Sequence, residues 1–464
     1  MHEPVIEVDY LIKGAGAAGM AFADSLVTET EATIAIVDRH HRPGGHWNHA
    51  YPFVRLHQPS AFYGVNSRPL GSGAKDEVGL NKGFHELASG SEVLSYFDLV
   101  MRQSFLPSGR VRYFPMSELS DDGMITSLVS GQRRAIMARK IVDATYSNTL
   151  VPSIQPPRYA VAPEIVCVPL NDLPRIAKPH AAYVVIGAGK TGMDACLWLL
   201  ENGAEPDRIR WIMPRDYWWL NRANYQPGDE FFARLVQSIA NGVEALAGGE
   251  SVDDVFARLE AFDEVRRIDR SAKPTGYHGG FVSDGELEQL RRIRNVVRLG
   301  RVTRIDPDQI VLERGVIPTS RDCLHIDCSA AGIPARPSKP IFAGDRITLQ
   351  WVRLLQPTFS WSLIGHVEAA YQDEAEKNRI CTPIPPPDEP KDWLRMMEIQ
   401  LSNQLAWSKI PGIREWQSKS RLDPYTGRIR SLKGTETEPV AHLQRYGKYV
   451  GPAARKLPQL LGAA

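Results

Sequence analysis

Three glycines near the start of the chain, Gly14, Gly16 and Gly19, are the first residues whose type and spacing indicate a binding site. They follow a short apolar run and precede a small-residue stretch with helical periodicity, the order expected of a strand, a turn and a helix. Gly14 permits a tight turn, Gly16 lets a pyrophosphate approach the backbone, and Gly19 lets the helix pack on the sheet. The start of that helix, which includes Ala18, offers free N–H groups and a partial positive charge to phosphates. The spacing therefore predicts a dinucleotide-binding turn.

An acidic residue completes this motif. Asp38 stands nineteen positions after Gly19, directly after an apolar run that reads as a second strand. A carboxylate at the end of that strand can accept hydrogen bonds from a ribose diol, but it repels a 2′-phosphate. We therefore expect the first nucleotide to be FAD or NAD, with Asp38 and the adjacent Arg39 beside it. A plain strand–helix–strand unit with a glycine turn is the alternative.

A second glycine-rich turn lies between the apolar run 183–186 and an apolar helical stretch. Its candidate contacts to a second nucleotide are Gly187, Gly189, Lys190, Thr191 and Gly192. The next apolar run, 209–213, ends in Pro214 and Arg215 instead of an acid. Because a guanidinium can clamp a 2′-phosphate, this unit is predicted to prefer NADPH. Arg215 could instead be a surface residue, and Arg222 or Lys190 could share the phosphate contact.

The segment from 44 to 64 lacks periodicity and is rich in glycine, proline and aromatic residues. This composition predicts an ordered loop that lines a flat ligand. Gly45, His46 and Trp47 are candidate flavin contacts, and a tryptophan that fills the core is the alternative for Trp47.

Two further residues of this loop are candidate catalytic groups. Arg55 could stabilise negative charge on a reduced flavin, or form only a surface ion pair. His57 titrates near neutral pH and could carry a proton, or hold the loop by hydrogen bonds. The spacing of His46, His49 and His57 fits no common zinc pattern, so no metal is predicted.

Composition excludes several classes of protein. The 464 residues carry 55 basic and 54 acidic side chains, a net charge of +1 that creates no overall field for nucleic acid. No apolar run is long enough to span a membrane, and the first ten residues lack a signal-peptide pattern. The five scattered cysteines suit a reducing compartment. These features predict a cytoplasmic protein without nucleic-acid partners, and they leave its oligomeric state open.

The elements that position these residues predict an α/β fold with two Rossmann-like dinucleotide-binding domains, one for FAD and one for NADPH. Residues 1–150 form the first part of the FAD domain, with a β-meander inserted at about 105–140. Residues 181–335 form the NAD(P) domain, with a helical insertion at about 225–295. Residues 336–464 are expected to return to the FAD domain and add a C-terminal helical extension.

Two such units imply hydride transfer from nicotinamide to flavin, and the next electron acceptor separates the possible functions. A disulfide acceptor requires paired cysteines beside the flavin, and the loop from 44 to 64 contains no cysteine. Oxygen is the other acceptor. Gly44-Gly45-His46-Trp47 followed by Tyr51-Pro52 and Arg55 resembles the GG-x-W … YP-x-x-R segment of Baeyer–Villiger and flavin-containing monooxygenases.

Two other stretches carry the same resemblance. The turn 187–194 is similar to the NADPH fingerprint of those enzymes, and 356–365, which includes Ile364, is similar to their segment under the isoalloxazine. The chain departs from them in two places. The segment 163–172 lacks their F-x-G-x-x-x-H pattern, and His57 stands where their aspartate is usual.

The resemblance implies FAD, NADPH, O₂ and a small organic substrate that is oxygenated through a flavin hydroperoxide. An NADPH-dependent flavin reductase, or a flavin oxidase or dehydrogenase without oxygen transfer, is the alternative from the same chemistry. A nucleotide-binding redox sensor without turnover is the alternative from another class.

Overall fold

The computed structural model describes residues 5–120, 123–330 and 332–462. The N-terminal part builds most of a mixed, mainly parallel sheet and contains two helices. Its strands are β1 Ile6–Lys13, β2 Ile34–Val37, β3 Val111–Phe114, β4 Ser117–Leu119, β5 Met124–Ser127 and β6 Arg133–Asp143. Its helices are α1 Ala17–Glu29 and α2 Gly90–Val100. All four side chains of β2 are buried, as expected for a strand covered on both faces.

The central part builds a five-stranded parallel sheet and two smaller sheets, one of three strands and one of four. Its strands are β7 Ala160–Val161, β8 Cys167–Pro169, β9 Ala182–Ile186, β10 Ile209–Ile212, β11 Tyr217–Asn221, β12 Val265–Arg266, β13 Gly276–Val282, β14 Asn295–Val297, β15 Val302–Ile305, β16 Gln309–Leu312, β17 Gly315–Pro318 and β18 Cys323–Asp327. Its helices are α3 Lys190–Glu201, α4 Asp229–Gly248, α5 Val252–Ala261 and α6 Asp284–Leu290.

The C-terminal part returns to the first sheet and then becomes helical. It contains β19 Phe342–Ala343, β20 Arg346–Thr348, α7 Pro357–Ala370, α8 Glu374–Ile380, α9 Pro390–Ser408, α10 Pro411–Lys419, α11 Thr426–Arg430 and α12 Thr437–Leu461. Helix α7 packs along α1, and Gly365 permits the contact because a Cβ there would meet the Ser25 side chain and the Phe22 carbonyl oxygen. Within the described residues, no helix is both long and apolar enough to cross a membrane.

The strand order places each glycine turn at the centre of a sheet. The first sheet runs β19-β20-β6-β1-β2-β3, and the second runs β14-β10-β9-β18-β8 with all neighbours parallel. The two glycine turns follow β1, which lies between β6 and β2, and β9, which lies between β10 and β18. Ligands of doubly wound sheets bind at the carboxyl ends of such strands.

The antiparallel insertion is smaller than the meander expected at about 105–140. Strand β3 pairs in parallel with β2 and so belongs to the parent sheet. Only β4, β5 and the first residues of β6 form the antiparallel part, and β6 then continues in parallel with β1. One long strand therefore serves both the insertion and the parent sheet. In the second unit, the expected helical insertion also contains the strands β12 and β13, which pair with β11.

Candidate functional site

The turn after β1 has the geometry that its glycines predict. Gly14 has φ of +104°, and its amide donates to the carbonyl oxygen of Val37 at 2.8 Å. A Cβ on Gly19 would overlap the carbonyl oxygen of Gly14, so the close packing of α1 on the turn requires glycine there. Ala18 is buried in the first turn of α1. The first amides of this helix have no intrahelical acceptor and are available to a phosphate.

Gly45 lies directly over Gly16. A Cβ built on Gly45 would stand 3.0 Å from the Cα atom of Gly16, and the amide of Gly44 donates to the carbonyl oxygen of Ala15 at 2.9 Å. The loop after β2 is therefore bonded to the glycine turn. Because neither residue has a side chain, the two backbones approach closely beside the N-terminus of α1, and we call this pair of turns the cradle.

Asp38 is buried at the edge of this cradle. Its carboxylate accepts from the amide of Ala15 at 2.6 Å and from the ring of His40 at 2.7 Å. The buried hydroxyl of Tyr113 has no hydrogen-bond partner among the described residues. Burial, and then the charge of Asp38, raises the pKa of that hydroxyl. Arg39 instead points outward to Glu118, with a side chain that is 68% exposed.

Trp47 packs as a core residue, and His46 lies against it. The indole N–H of Trp47 donates to the hydroxyl of Tyr63 at 2.9 Å, and its side chain belongs to the main core of the first unit. The ring of His46 stacks on the indole with a centroid distance of 5.2 Å. Burial, and then the neighbouring His40 and His49, lowers the pKa of His46 to about 4. His46 is therefore neutral at physiological pH.

The turn after β9 repeats the first one. Gly187 has φ of +129°, and its amide donates to the carbonyl oxygen of Ile212 at 3.0 Å. A Cβ on Gly192 would overlap the carbonyl oxygen of Gly187, whereas a Cβ on Gly189 would meet no atom within 4 Å. Gly189 precedes α3, and Thr191 lies half-buried in its first turn. The second turn therefore leaves an open space at a helix N-terminus, whereas Gly16 in the first turn is covered by Gly45.

One segment connects the two turns. Residues 45–57, which we call the bridging segment, begin at the Gly16 turn and end at the second unit. The hydroxyl of Tyr51 donates to Oδ2 of Asp194 in α3 at 2.5 Å. Phe53 stacks on Trp198 of the same helix with a centroid distance of 5.6 Å. The bridging segment thus holds the start of α3 against the loop that covers the first turn.

A cluster of four charged side chains lies at this junction. Lys190 forms ion pairs with Asp194, one turn further along α3, and with Glu286 of α6 at 3.8 Å. Arg222, which is 1% exposed, pairs with Glu286 at 2.9 Å. Burial alone would raise the pKa of Glu286, but Lys190 and Arg222 outweigh it and lower that pKa. The cluster contains two cations and two carboxylates, so its formal charges cancel.

The two residues proposed for catalysis have different environments. The carbonyl oxygen of His57 accepts from Nε of Arg222 at 3.1 Å, which places His57 at the charged cluster. Burial, followed by the charges of Lys190 and Arg222, lowers the pKa of His57 to about 3. Arg55 is nearer the surface: its side chain is 60% exposed and pairs with Asp76 at 3.8 Å, and its charge also acts on Glu201 at the end of α3. The structure therefore brings His57, but not Arg55, to the charged cluster.

The remaining candidates lie at the edges of the site. Arg215 follows β10 at the carboxyl edge of the second sheet and is paired with Asp388. Ile364 is fully buried in the core between α7 and α1, two turns from the start of α7. The side-chain oxygen of Gln356, which directly precedes α7, is buried and without a partner among the described residues. Any ligand at the start of α7 would therefore meet Gln356 before Ile364.

Sequence reasoning missed several residues of the junction. It gave no role to Tyr51, Asp194 or Glu286, and it considered Arg222 only as a phosphate contact. The spacing of Lys190 and Asp194 is a readable signal, because residues four apart share one face of a helix. No such signal exists for Tyr51 or Glu286, which reach the cluster only through tertiary contacts.

Comparisons with known proteins find one domain profile and several distantly similar solved structures. A family profile described as an NAD(P)-binding Rossmann-like domain matches residues 12–63. Solved structures with a similar arrangement include a mutant flavin monooxygenase from Stenotrophomonas maltophilia, with 14% identity, TM-score 0.48, and coverage of 80% of this chain and 100% of that one. An NADP+-bound cyclohexanone monooxygenase from Rhodococcus sp. Phi1 has 14% identity, TM-score 0.46 and coverage of 99% and 97%. A bacillithiol disulfide reductase from Bacillus cereus has 13% identity, TM-score 0.44 and coverage of 79% and 100%.

Sequence relatives are much closer than these structures. The protein Rv2000 of Mycobacterium tuberculosis, described as uncharacterized, is 49% identical over 459 residues, which is 99% of this chain and 85% of that protein. The uncharacterized protein Mb2023 of Mycobacterium bovis matches with the same identity and coverage. With this identity over nearly its whole length, the chain belongs to the protein family of Rv2000.

Proposed function

We propose that this protein is a FAD- and NADPH-dependent oxidoreductase, and that it oxygenates a small organic substrate with O₂. The bridging segment is the observation that carries the proposal. It touches the glycine turn of the first unit through Gly45 and the first helix of the second unit through Tyr51. Two dinucleotide sites joined in this way suit electron transfer from one nucleotide to the other.

The first unit fits FAD. A pyrophosphate would bind beside the cradle of Gly16 and Gly45, at the N-terminus of α1, where neither glycine adds a side chain. Asp38 would accept hydrogen bonds from the ribose diol. The orphaned oxygen of Gln356 lies at the start of α7, where it could accept a hydrogen bond from a flavin ring N–H. When bound, FAD would supply hydride acceptance and the reaction with O₂.

The second unit fits a nicotinamide dinucleotide. The open space beside Gly189 leaves room for a pyrophosphate at the N-terminus of α3. Lys190 is held at the same helix end by Asp194 and Glu286, so its charge is fixed near the phosphates. Arg215 at the carboxyl edge would bind the 2′-phosphate of NADPH.

The chain's own groups then control charge and protons at the junction. With its pKa lowered to about 3, His57 is neutral at pH 7 and a weak base, so it can form hydrogen bonds there but adds no positive charge of its own. Tyr51 keeps its proton, because burial and then Asp194 raise its pKa well above the ordinary value. Its hydrogen bond to Asp194 is therefore maintained across the physiological range. We infer that this bond positions α3, and that His57 acts at the junction as a neutral hydrogen-bonding group.

The composition of the junction favours oxygen over a disulfide as the electron acceptor. The bridging segment contains no cysteine, and all five cysteines of the chain are free. Cys196 is buried inside α3 and Cys328 lies against Gly187, and burial raises the pKa of both thiols well above the ordinary value. A buried thiol with a raised pKa is a poor nucleophile. The reductase and oxidase alternatives differ from the monooxygenase only after the flavin is reduced.

The test is a stoichiometry measured on the purified full-length protein. Bound flavin is first identified by its spectrum, and its reduction by NADPH is followed without oxygen. NADPH consumption, peroxide release and oxygenated product are then measured in air with a panel of small ketones, amines and sulfides. Product that matches the NADPH consumed would support the monooxygenase. Peroxide that matches it, with no product, would support the oxidase or reductase. A protein that binds no flavin would overturn the proposal.

A further inference from the structure

Arg215, the expected 2′-phosphate ligand, already holds an anion from its own chain. Both terminal nitrogens of its guanidinium bind the carboxylate of Asp388, one of them at 3.0 Å, and Nε donates to the hydroxyl of Tyr217 at 3.1 Å. The ring of Tyr217 also lies under the guanidinium, at 5.1 Å from its central carbon. This two-pronged arrangement is the one by which arginine recognises a carboxylate or a phosphate.

The backbone holds Asp388 in this place. Its carbonyl oxygen accepts from the amide of Tyr277 in β13 at 3.0 Å, and its own amide donates to the carboxylate of Asp392 at 2.9 Å. The ring of His278 approaches the Asp388 carboxylate at 3.0 Å. Asp388 therefore lies between β13 and the start of α9, and both flanking elements fix its position.

A carboxylate in this place competes with a 2′-phosphate. The hydrogen bonds from Arg215 lower the pKa of Asp388 to about 2, so the group is anionic at physiological pH. A phosphate that bound the same guanidinium would have to displace this carboxylate, or lie beside it and be repelled. NADH has no 2′-phosphate, and its 2′-hydroxyl can donate a hydrogen bond to a carboxylate. Asp388 thus supplies, from a distant segment, the acid that is missing at the end of β10.

We propose that Asp388 is a specificity-determining residue that opposes Arg215: it weakens NADPH binding and lets the second unit accept NADH. The inference rests on the proposed function, because it requires a nicotinamide dinucleotide at the second turn. It refines that function, since coenzyme preference becomes a balance between Arg215 and Asp388 and is not set by Arg215 alone.

The experiment uses the full-length flavin-loaded protein and its Asp388→Asn variant, which keeps the backbone contacts and removes the charge. Binding of 2′,5′-ADP and of 5′-AMP is measured by calorimetry, and KM for NADPH and NADH by flavin reduction. Asp388→Asn should tighten 2′,5′-ADP binding and lower the KM for NADPH by about tenfold, in line with a charge-assisted hydrogen bond. Affinity for 5′-AMP should not change, and the KM for NADH should rise or stay the same.

Two further variants test whether the effect is specific to the pair of Arg215 and Asp388. Asp253→Asn removes a carboxylate of α5 from its exposed ion pair with Lys273 and should change none of these values. In an Arg215→Ala background, Asp388→Asn should no longer change the affinity for 2′,5′-ADP, because the guanidinium for which the carboxylate and the phosphate compete is absent. If Arg215→Ala weakens 2′,5′-ADP binding but Asp388→Asn leaves it unchanged or weaker, the inference is wrong and the proposed function stands. If the wild-type protein binds neither nucleotide nor coenzyme, both fail.

Discussion

The hydroxyl of Tyr51 lies 2.5 Å from Oδ2 of Asp194, and this hydrogen bond joins the loop of the first nucleotide unit to the first helix of the second. Asp194 in turn holds Lys190 at the N-terminus of that helix. The position of the second helix end therefore depends on a residue of the first unit. Electron transfer between the two nucleotides is expected to be sensitive to this bond.

Tyr51→Phe removes the bond and keeps the ring. We expect flavin reduction by NADPH to slow by about tenfold, because loss of a bond to a charged group worth roughly 1.5–3 kcal/mol loosens α3 against the bridging segment. Affinity for FAD should remain within about twofold, since the first turn is not changed. Reduction is measured by anaerobic stopped-flow absorbance. Tyr159→Phe is the matched control, because Tyr159 donates to Asp327 at 3.1 Å within the second unit. Equal slowing in both variants would contradict a bridging function.

Asp38→Ala tests the first nucleotide site. FAD affinity should fall by about 10- to 100-fold, as expected for the loss of charge-assisted hydrogen bonds worth roughly 1.5–3 kcal/mol. Affinity is measured by quenching of flavin fluorescence on titration into the apoprotein. Asp9→Ala is the control: Asp9 accepts from the amide of Thr33 in the same unit but is not part of the cradle. Unchanged FAD affinity in Asp38→Ala would show that the ribose does not bind there.

Gly189→Ala is expected to weaken NADPH binding without destabilising the fold. A methyl group at this position meets no protein atom within 4 Å, and φ of −79° suits alanine, so stability should stay the same or rise by up to about 1 kcal/mol. The methyl would occupy the space proposed for the pyrophosphate, so the KM for NADPH should rise at least about tenfold, or roughly 1.4 kcal/mol. Urea unfolding and steady-state kinetics provide the two readouts.

Two other glycines serve as controls for that experiment. Gly192→Ala should destabilise the fold, because its Cβ would overlap the carbonyl oxygen of Gly187. Gly242→Ala, in α4, also has no atom within 4 Å; it should raise stability by about 0.5–1 kcal/mol, because alanine favours a helix interior over glycine, and leave the KM unchanged. An unchanged KM in Gly189→Ala would remove the second turn from the proposed site.

His325 should make the protein sensitive to acid. This side chain is fully buried in β18, and burial lowers its pKa to about 4. In the unfolded chain its pKa is about 6.5, so between those values the unfolded state binds a proton that the folded state excludes. The free energy of unfolding should therefore fall as the pH decreases from about 6.5 to about 4, by at most about 1.4 kcal/mol per pH unit for this residue.

Urea unfolding at several pH values measures that slope. His325→Asn should reduce it even if the variant is less stable overall, because the comparison concerns the slope and not the absolute value. His41→Asn changes an exposed histidine and should leave the slope as it is in the wild type. A slope unaffected by His325→Asn would show that other groups cause the loss of stability.

The sequence by itself determined both glycine turns and their order. Gly14, Gly19, Gly187 and Gly192 are required by local geometry, either a positive φ or a backbone contact within a few residues, and such requirements can be read from spacing. The position of Asp38 is also local, because the strand that precedes it fixes which sheet edge it reaches. The spacing of Lys190 and Asp194 on one helix face belongs to the same class of information.

Only the tertiary structure decided how distant side chains meet. Tyr51 and Asp194 are 143 positions apart, and Arg215 and Asp388 are 173 positions apart. Arg55 and His57 stand two positions apart in the same loop, yet one is exposed and the other lies at the charged cluster. Ile364 belongs to a motif but packs into the core, because α7 is buried against α1. The physical reason is the same in each case: local propensities set turns and helix faces, whereas the packing of separate elements decides which charges become neighbours.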